Sequence, residues 1–460
     1  MRPIPKECLF MSPAPSSAPV EKYAWYRQLT GYHWFVLSVA TMGWMFDTMA
    51  QQLFNLARNP AIRDLLGPGA SAGAIAEQAG FATSIFMIGW ASGGVLFGVL
   101  GDRIGRAKTM MLTILVYSIF TGISVLSRSV WDFNAYRFLC GLGVGGQFAV
   151  GVALVAETMP VRARPYALGV VQAFSAVGNM MAAAAGIILG QMQQTASIGS
   201  AWRWEFAVGA LPAPLAIVIF KKLKEPEQWL RARAENKRMG SFADLFSHPR
   251  WRRNALCGVL LAFSGVVGLW GIGFFSYDLF RPVLENTFRA RGLTGAALAG
   301  TTTTWIGITS LLQNFGAFLG IYAFTYLTHF TNRRIAFALS FVAAMGATAY
   351  TFWNLKNLSD VFWMVPLMGF CQLALFGGYA IYLPELFPTH LRSTGTSFCY
   401  NIGRFVAAAG PLALGYLTST VFAGASAPMR SAGVTMCLVF FVGLLALPFA
   451  PETKNAPLPE

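Results

Sequence analysis

Apolar stretches long enough to cross a bilayer recur twelve times along this chain, and that recurrence limits what it can fold into. A hydrocarbon core about 30 Å thick takes roughly 20 apolar residues per helix. Hydropathy predicts spans at 33–57, 80–100, 108–127, 131–157, 165–190, 202–220, 254–280, 298–326, 334–354, 360–384, 392–418 and 431–449. Hydrophobic residues make up 55% of the chain and charged residues 12%, about half the charged share of soluble domains. Lipid is therefore the solvent for most side chains, and the expected fold is an all-α membrane protein of twelve transmembrane helices.

The net charge of +15 would suggest nucleic acid in a soluble protein. Here the basic residues lie in short loops between apolar stretches, which is the positive-inside pattern. Residues 221–253 hold ten Lys or Arg against four acids and are expected to form a cytoplasmic linker with a surface helix. The same side receives residues 1–30, a proline-bearing tail without the basic-then-apolar order of a signal peptide, and residues 451–460. Both termini are thus expected in the cytoplasm, with the chain in the inner (plasma) membrane. Six cysteines form no C-x-x-C pair and no histidines cluster, so the thiols are expected to be buried, with no metal and no cofactor.

An internal repeat sets the architecture. Glu157, Pro160 and Arg164 recur as Glu385, Pro388 and Arg392. Two similar six-helix bundles are expected, residues 31–220 and 254–450, with a cavity between them at the membrane midplane.

Between the second and third spans runs Gly98-Val-Leu-Gly-Asp102-Arg103-Ile-Gly105-Arg106-Ala-Lys108. Its glycines permit a tight turn and close helix approach, and Asp102 is suited to the positive end of a helix. The segment resembles the signature loop of the major facilitator superfamily, whose members carry solutes by alternating access. The resemblance extends over residues 33 to 450 and implies a cytoplasmic latch of Asp102, Arg106, Glu157 and Arg164, repeated at Glu385 and Arg392. The second-half copy of the loop has lost its acid, with His329 or a neighbour in its place.

Charge in mid-membrane costs at least about 2.5–3.5 kcal/mol unless it meets a cavity or a partner, so Asp47, Arg137 and Arg404 need reasons. Asp47, Gln51, Asn55 and Arg58 fall on one helix face at i, i+4 spacing, expected to line the cavity. Arg137 precedes Gly141, Gly143, Gly145 and Gly146, which let backbones, or a solute, come close. The run resembles the fourth helix of sugar and metabolite symporters, which implies an Asp47–Arg137 proton-coupling pair. A permanent structural ion pair is the plainer alternative. Gln147 stands where many such relatives carry glutamate, which shifts proton carriage to Asp47.

Arg404 lies in Tyr400-Asn401-Ile-Gly-Arg404 ahead of Pro411 and resembles the eleventh-helix arginine of organic-anion carriers. Guanidinium can hold a carboxylate bidentately; packing on a backbone carbonyl is the alternative. Tyr400, Asn401, Gln51, Gln172, Asn179, Gln313, Asn314 and Gln372 are candidate substrate contacts. Trp270 and Phe274 read as packing, Asp278 and Arg281 as an outer gate or a surface pair, and His33 as an interfacial residue.

No P-loop is present for ATP, and no nucleophile, base or metal set converges, so an enzyme is not expected. The expected function is proton-coupled symport of a small, anionic, carboxylate-type metabolite by a monomer, with no nucleic-acid partner. Sugar symport, drug export and, outside transport, a receptor role compete with it.

Overall fold

The computed structural model describes residues 24–194, 197–235, 237–272, 276–410, 413 and 416–459, and among these there are helices and no strand. The first half holds α1 (Gly31–Leu66), α2 (Ala72–Arg103), α3 (Arg106–Ile123), α4 (Val130–Thr158), α5 (Arg164–Gln194), α6 (Ala201–Val208) and α7 (Ala213–Lys222). Two short helices, α8 (Glu227–Ala234) and α9 (Phe242–Ser247), occupy the linker. The second half holds α10 (Pro249–Val267), α11 (Ser276–Ala290), α12 (Gly295–Phe330), α13 (Arg333–Asn354), α14 (Leu358–Glu385), α15 (Arg392–Ala407), α16 (Pro428–Met436) and α17 (Val439–Ala446).

Eight segments among the described residues are individually long and apolar enough to cross a membrane: α2 to α5, α12 to α14, and Pro428–Phe449. The other four expected spans are α1, with its polar stripe, and three interrupted ones. The span expected at 202–220 breaks between α6 and α7, where Pro212 lacks the N–H a continuous helix needs. That expected at 254–280 begins earlier, at Pro249, and passes through a π-helical turn, Gly268–Ile272. The eleventh ends in another, Leu417–Val421. The protein is thus a multi-pass, all-α membrane protein of two six-helix halves. Cys8 and Phe274 lie outside the described residues, as do the side chains of Trp270 and Asp278; the other five cysteines are free and buried.

The repeat extends into caps and packing. Ser129 and Asp132 form a capping box at the start of α4, and Asn357 and Asp360 form its counterpart at α14. Each satisfies backbone N–H groups that the first helical turn leaves open. His33 does the same work with Thr30 at the start of α1. A Cβ on Gly89 or Gly93 of α2 would strike the α4 backbone at Phe138 or Leu142, and one on Gly316 or Gly320 of α12 would strike the α14 backbone at Pro366 or Phe370. Both halves therefore lock a helix pair by glycine-mediated backbone contact. The fourth-helix glycines serve packing too: Gly141 and Gly145 meet α2, Gly143 meets α3, and Gly146 meets Phe97. They do not line the cavity.

Candidate functional site: a central cavity closed at the linker end

The halves meet through α2 against α15 and through α5 against α12. On the first of these faces, Asp102 at the end of α2 accepts from Ser393 N at 3.1 Å, Thr394 N at 2.8 Å and Thr394 Oγ1 at 2.6 Å. A fully buried carboxylate thus caps the positive end of a helix from the other half. Arg106 links Asp102, at 3.0 Å, to Glu157, at 2.8 Å, and donates to Thr389 O across the interface at 2.6 Å. Arg392 completes the cluster with a 2.7 Å pair to Glu157. Five of the six residues expected in the latch are in ion pairs.

The sixth, Arg164, makes no ion pair among the described residues; the cation that reaches Glu157 from across the interface is Arg392. In the second half Arg333 takes the place of Arg106 and pairs with Glu385 at 2.9 Å. The loss of the acid at His329 has therefore not removed the intra-half pair. What is missing is the cap across the interface. Helix α5 starts Arg164-Pro165-Tyr166 where α15 starts Arg392-Ser393-Thr394, so the N–H that Ser393 gives Asp102 has no counterpart at Pro165. The Tyr166 ring instead lies 5.9 Å from His329 and 5.9 Å from Tyr326, and stacks on Trp25 at 5.7 Å.

Two acids outside the expected latch hold its loops. Glu225 accepts from the N–H groups of Arg106, Ala107 and Lys108, at 2.6 to 3.2 Å. Glu452 accepts from those of Arg333 and Arg334, at 3.1 and 3.3 Å. Both follow or precede a proline in polar sequence, a spacing that repeats like the other paired features. Beside the latch, His390 sits in the short turn before α15; burial, and then Lys237 and Arg392, push its imidazole below the ordinary range.

Above the closed end lies a cavity of about 440 Å³. Its walls reach Asn59, Gln191 and Arg281, which are exposed, at the end of the bundle away from the linker. Of the predicted contacts, Gln51, Gln172, Asn179, Gln313, Asn314, Tyr400 and Arg404 line it. Asn179 and Asn314 also bond to each other across the halves at 2.9 Å. Gln372 does not line it: its amide donates to Thr348 at 2.9 Å, which turns it toward α13. Nor does Asn401, which donates to Ser397 O and Gly145 O and accepts from Arg404 at 3.1 Å, bracing the arginine from behind.

Arg404 is 1% exposed, with its guanidinium 4.1 Å from the Trp90 ring and 4.3 Å from the Tyr400 ring. It donates to Tyr400 O at 2.5 Å, while Nε has no hydrogen-bond partner among the described residues. Tyr400 stacks on Phe148 with centroids 3.9 Å apart. A cation so placed is braced between two rings and keeps one N–H without a partner, among the described residues, at the cavity wall.

The expected Asp47–Arg137 pair is not formed. Arg137 donates to Phe120 O at 3.0 Å and to Ser124 Oγ, and its guanidinium lies over Phe206 at 4.6 Å and over Phe54 and Phe133 at 5.7 Å. Aromatic faces and a helix carbonyl, not a carboxylate, hold this charge. Asp47, fully buried behind the cavity wall, accepts from Gln51 at 3.0 Å, and its Oδ1 is unpartnered among the described residues. The cation whose field reaches it is Arg404. The i, i+4 stripe on α1 is real, but Asp47 sits one layer back while Gln51, Asn55 and Arg58 face the cavity.

Glu205 on α6 also lines the cavity and was not singled out in the sequence. The available signal was an acid among aromatic residues in Trp202-Arg-Trp-Glu205-Phe, but that stretch carries no motif and no helical stripe.

A polytopic bundle with two repeated halves, a central polar cavity and a closed latch at one end defines a membrane solute carrier. The chain matches the Major Facilitator Superfamily over residues 34–411 and belongs to that family. It is 27% identical over 435 residues to the probable 4-methylmuconolactone transporter of Cupriavidus pinatubonensis, covering 94% of each chain. It is 26% identical over 387 residues to the cis,cis-muconate transport protein of Acinetobacter baylyi, covering 83% of this chain and 87% of that one. Its fold superposes on the proton:xylose symporter XylE with a TM-score of 0.72 at 16% identity, over 93% of this chain and 98% of that one. The protein is a transporter and not an enzyme.

Proposed function

We propose that this carrier is a proton-coupled symporter of small organic anions, seated on Arg404 and coupled through Asp47. The observation that carries the reading is Arg404 itself: a buried guanidinium at the cavity floor, braced by Tyr400 and Asn401, with Nε unpartnered among the described residues. A carboxylate would meet it in a low-dielectric site where charge-assisted hydrogen bonds are strong. Asp47 stands within the field of the same guanidinium. Adding a proton to Asp47 removes a negative charge from the region to which the cargo adds one, so the two binding events favour each other. Arg137, held by aromatic rings and a carbonyl, has no part in this coupling.

Residues 31–220 and 254–450 are the two rocking bundles, with 221–253 as linker. In the inner membrane the basic linker and both termini face the cytoplasm by the positive-inside rule, so the described state opens outward. The chain works as a monomer. The relatives named for muconate and a muconolactone support an organic acid over a neutral sugar.

Uptake of labelled small acids into proteoliposomes under an inward proton gradient tests this. Asp47→Asn should keep exchange and lose accumulation, and Arg404→Ala should lose binding. If both variants accumulate the acid like the parent, the reading fails.

A further inference from the structure

Three carbonyl or carboxylate oxygens in buried residues of the cavity wall lack a hydrogen-bond partner among the described residues: Gln172 Oε1, Gln313 Oε1 and Glu205 Oε2. Buried acceptors without partners are uncommon in native proteins, and one that faces a cavity calls for a donor that comes and goes. The amides can present either an N–H or a C=O to a ligand. Glu205 offers no N–H, and it is 7% exposed.

Its surroundings explain why it is not a structural acid. Among the described residues no lysine, arginine or histidine pairs with it. The nearby cation on its own helix, Arg203, turns away to Asp64, at 3.4 Å, and to the Ser127 carbonyl. Trp202 gives its indole N–H to Asp64 as well, at 3.1 Å. From α5, Gly186 faces Glu205 without a side chain: a Cβ there would lie 3.7 Å from Glu205 Oε1 and 3.4 Å from Leu56. The carboxyl group is thus held at the level of Leu56, bounded by apolar groups and open to the cavity.

Arg404 lies deeper. Tyr400 packs on Phe148, which packs on Trp44 at 5.1 Å, and Arg404 is one turn of α15 further from the linker. That puts the guanidinium near the level of Thr48, roughly two turns of α1, or about 12 Å, below Glu205. A cargo that touches both ends carries its hydrogen-bond donor several bonds from its carboxylate.

We propose that Glu205 is a substrate-recognition residue and that the cargo is an organic acid bearing O–H or N–H groups remote from its carboxylate, such as a hydroxylated or amino-substituted acid. The carboxylate end takes Arg404, so this inference rests on the function proposed above; the donor end takes Glu205.

The test is binding to the full-length purified protein, by calorimetry, of hexanoate, 6-hydroxyhexanoate and D-gluconate. A hydrogen bond to Glu205 should make the donor-bearing acids bind roughly 3- to 10-fold tighter than hexanoate. In Glu205→Ala that ratio should collapse toward one, and Glu205→Gln, which keeps a carbonyl acceptor, should retain part of it. A lost side chain that merely loosened the fold would lower all three affinities together and leave the ratio intact. Equal binding of the three acids by the parent protein, or an unchanged ratio in Glu205→Ala, overturns the inference. Arg404→Ala should weaken all three acids; if it leaves hexanoate unaffected while Glu205→Ala removes the preference, the anion seat is wrong and the donor site stands.

Discussion

Replacing Asp102 by asparagine should open the linker end of the bundle. The carboxylate receives three hydrogen bonds from the start of α15, two from backbone N–H groups and one from Thr394 Oγ1. All three cross between the halves and are lost when the halves part. Charge-assisted bonds are about twice as strong as neutral ones, at about 1.5–3 kcal/mol each against about 1. An amide keeps one oxygen for α15 and forfeits the charge, so about 2–3 kcal/mol of closing energy disappears after allowing for cheaper burial. That is roughly a 30- to 150-fold shift toward the open form. Arg106 also loses its 3.0 Å partner but keeps Glu157. Spin labels on Lys108 and Ile335, both exposed and on opposite halves, would report the change by double electron–electron resonance. A longer distance should gain population in Asp102→Asn. Distributions that superpose on those of the parent would refute the idea that this cap holds the latch.

Other outcomes follow from the same geometry. Gly93→Ala drives a Cβ into the Leu142 backbone and should cost about 1–3 kcal/mol, read as a lower melting temperature in detergent; Gly346→Ala, with nothing within 4 Å, should be neutral or slightly stabilising. Glu225→Ala removes three backbone hydrogen bonds from the start of α3 and should cost about 1–2 kcal/mol; Glu452→Ala, with two bonds to α13, should cost less. Arg137→Lys keeps the charge but loses the planar contact with Phe206 and should lower the melting temperature. Burial and the neighbouring cations Lys237 and Arg392 hold His390 neutral, so its contribution to stability is present above the ordinary imidazole pKa and fades as pH falls through and below it. The melting temperature of His390→Gln should therefore depend less on pH between about 7 and 5 than that of the parent.

Much of the fold was legible because lipid leaves few choices: a backbone without water must close its hydrogen bonds within helices, and apolar length then counts the spans. The ion-pair cluster at the linker end was legible because Glu157 and Glu385, with their prolines and arginines, repeat at a fixed distance along the chain. The Asp47–Arg137 pair was misread because spacing within each helix says nothing of the rotation of one helix against another. Arg137 turned toward Phe206, and Arg404, from the other half, became the cation nearest in effect to Asp47. Gln372 failed for the same reason, since a polar residue on an apolar helix can face a neighbouring helix, here Thr348, as readily as a cavity. Glu205 was missed because its importance lies in what is absent around it, and absence of a partner is a property of packing, not of sequence.

The two faces of the closed end do their work by different physics, although they descend from one repeat. On the α2/α15 face a carboxylate caps a helix and ion pairs converge, so closure there is directional and charged. On the α5/α12 face Pro165 has removed a donor, and with it any gain from an acid at position 329. The space is filled by Tyr166 against His329, Tyr326 and Trp25. Ring contacts are weaker singly but tolerate sliding, because offset and edge-on arrangements differ little in energy. In the proposed rocking cycle the charged face fixes when the halves are fully closed, and the aromatic face keeps them in contact while they turn. Trp25 makes the segment before α1 part of that second face.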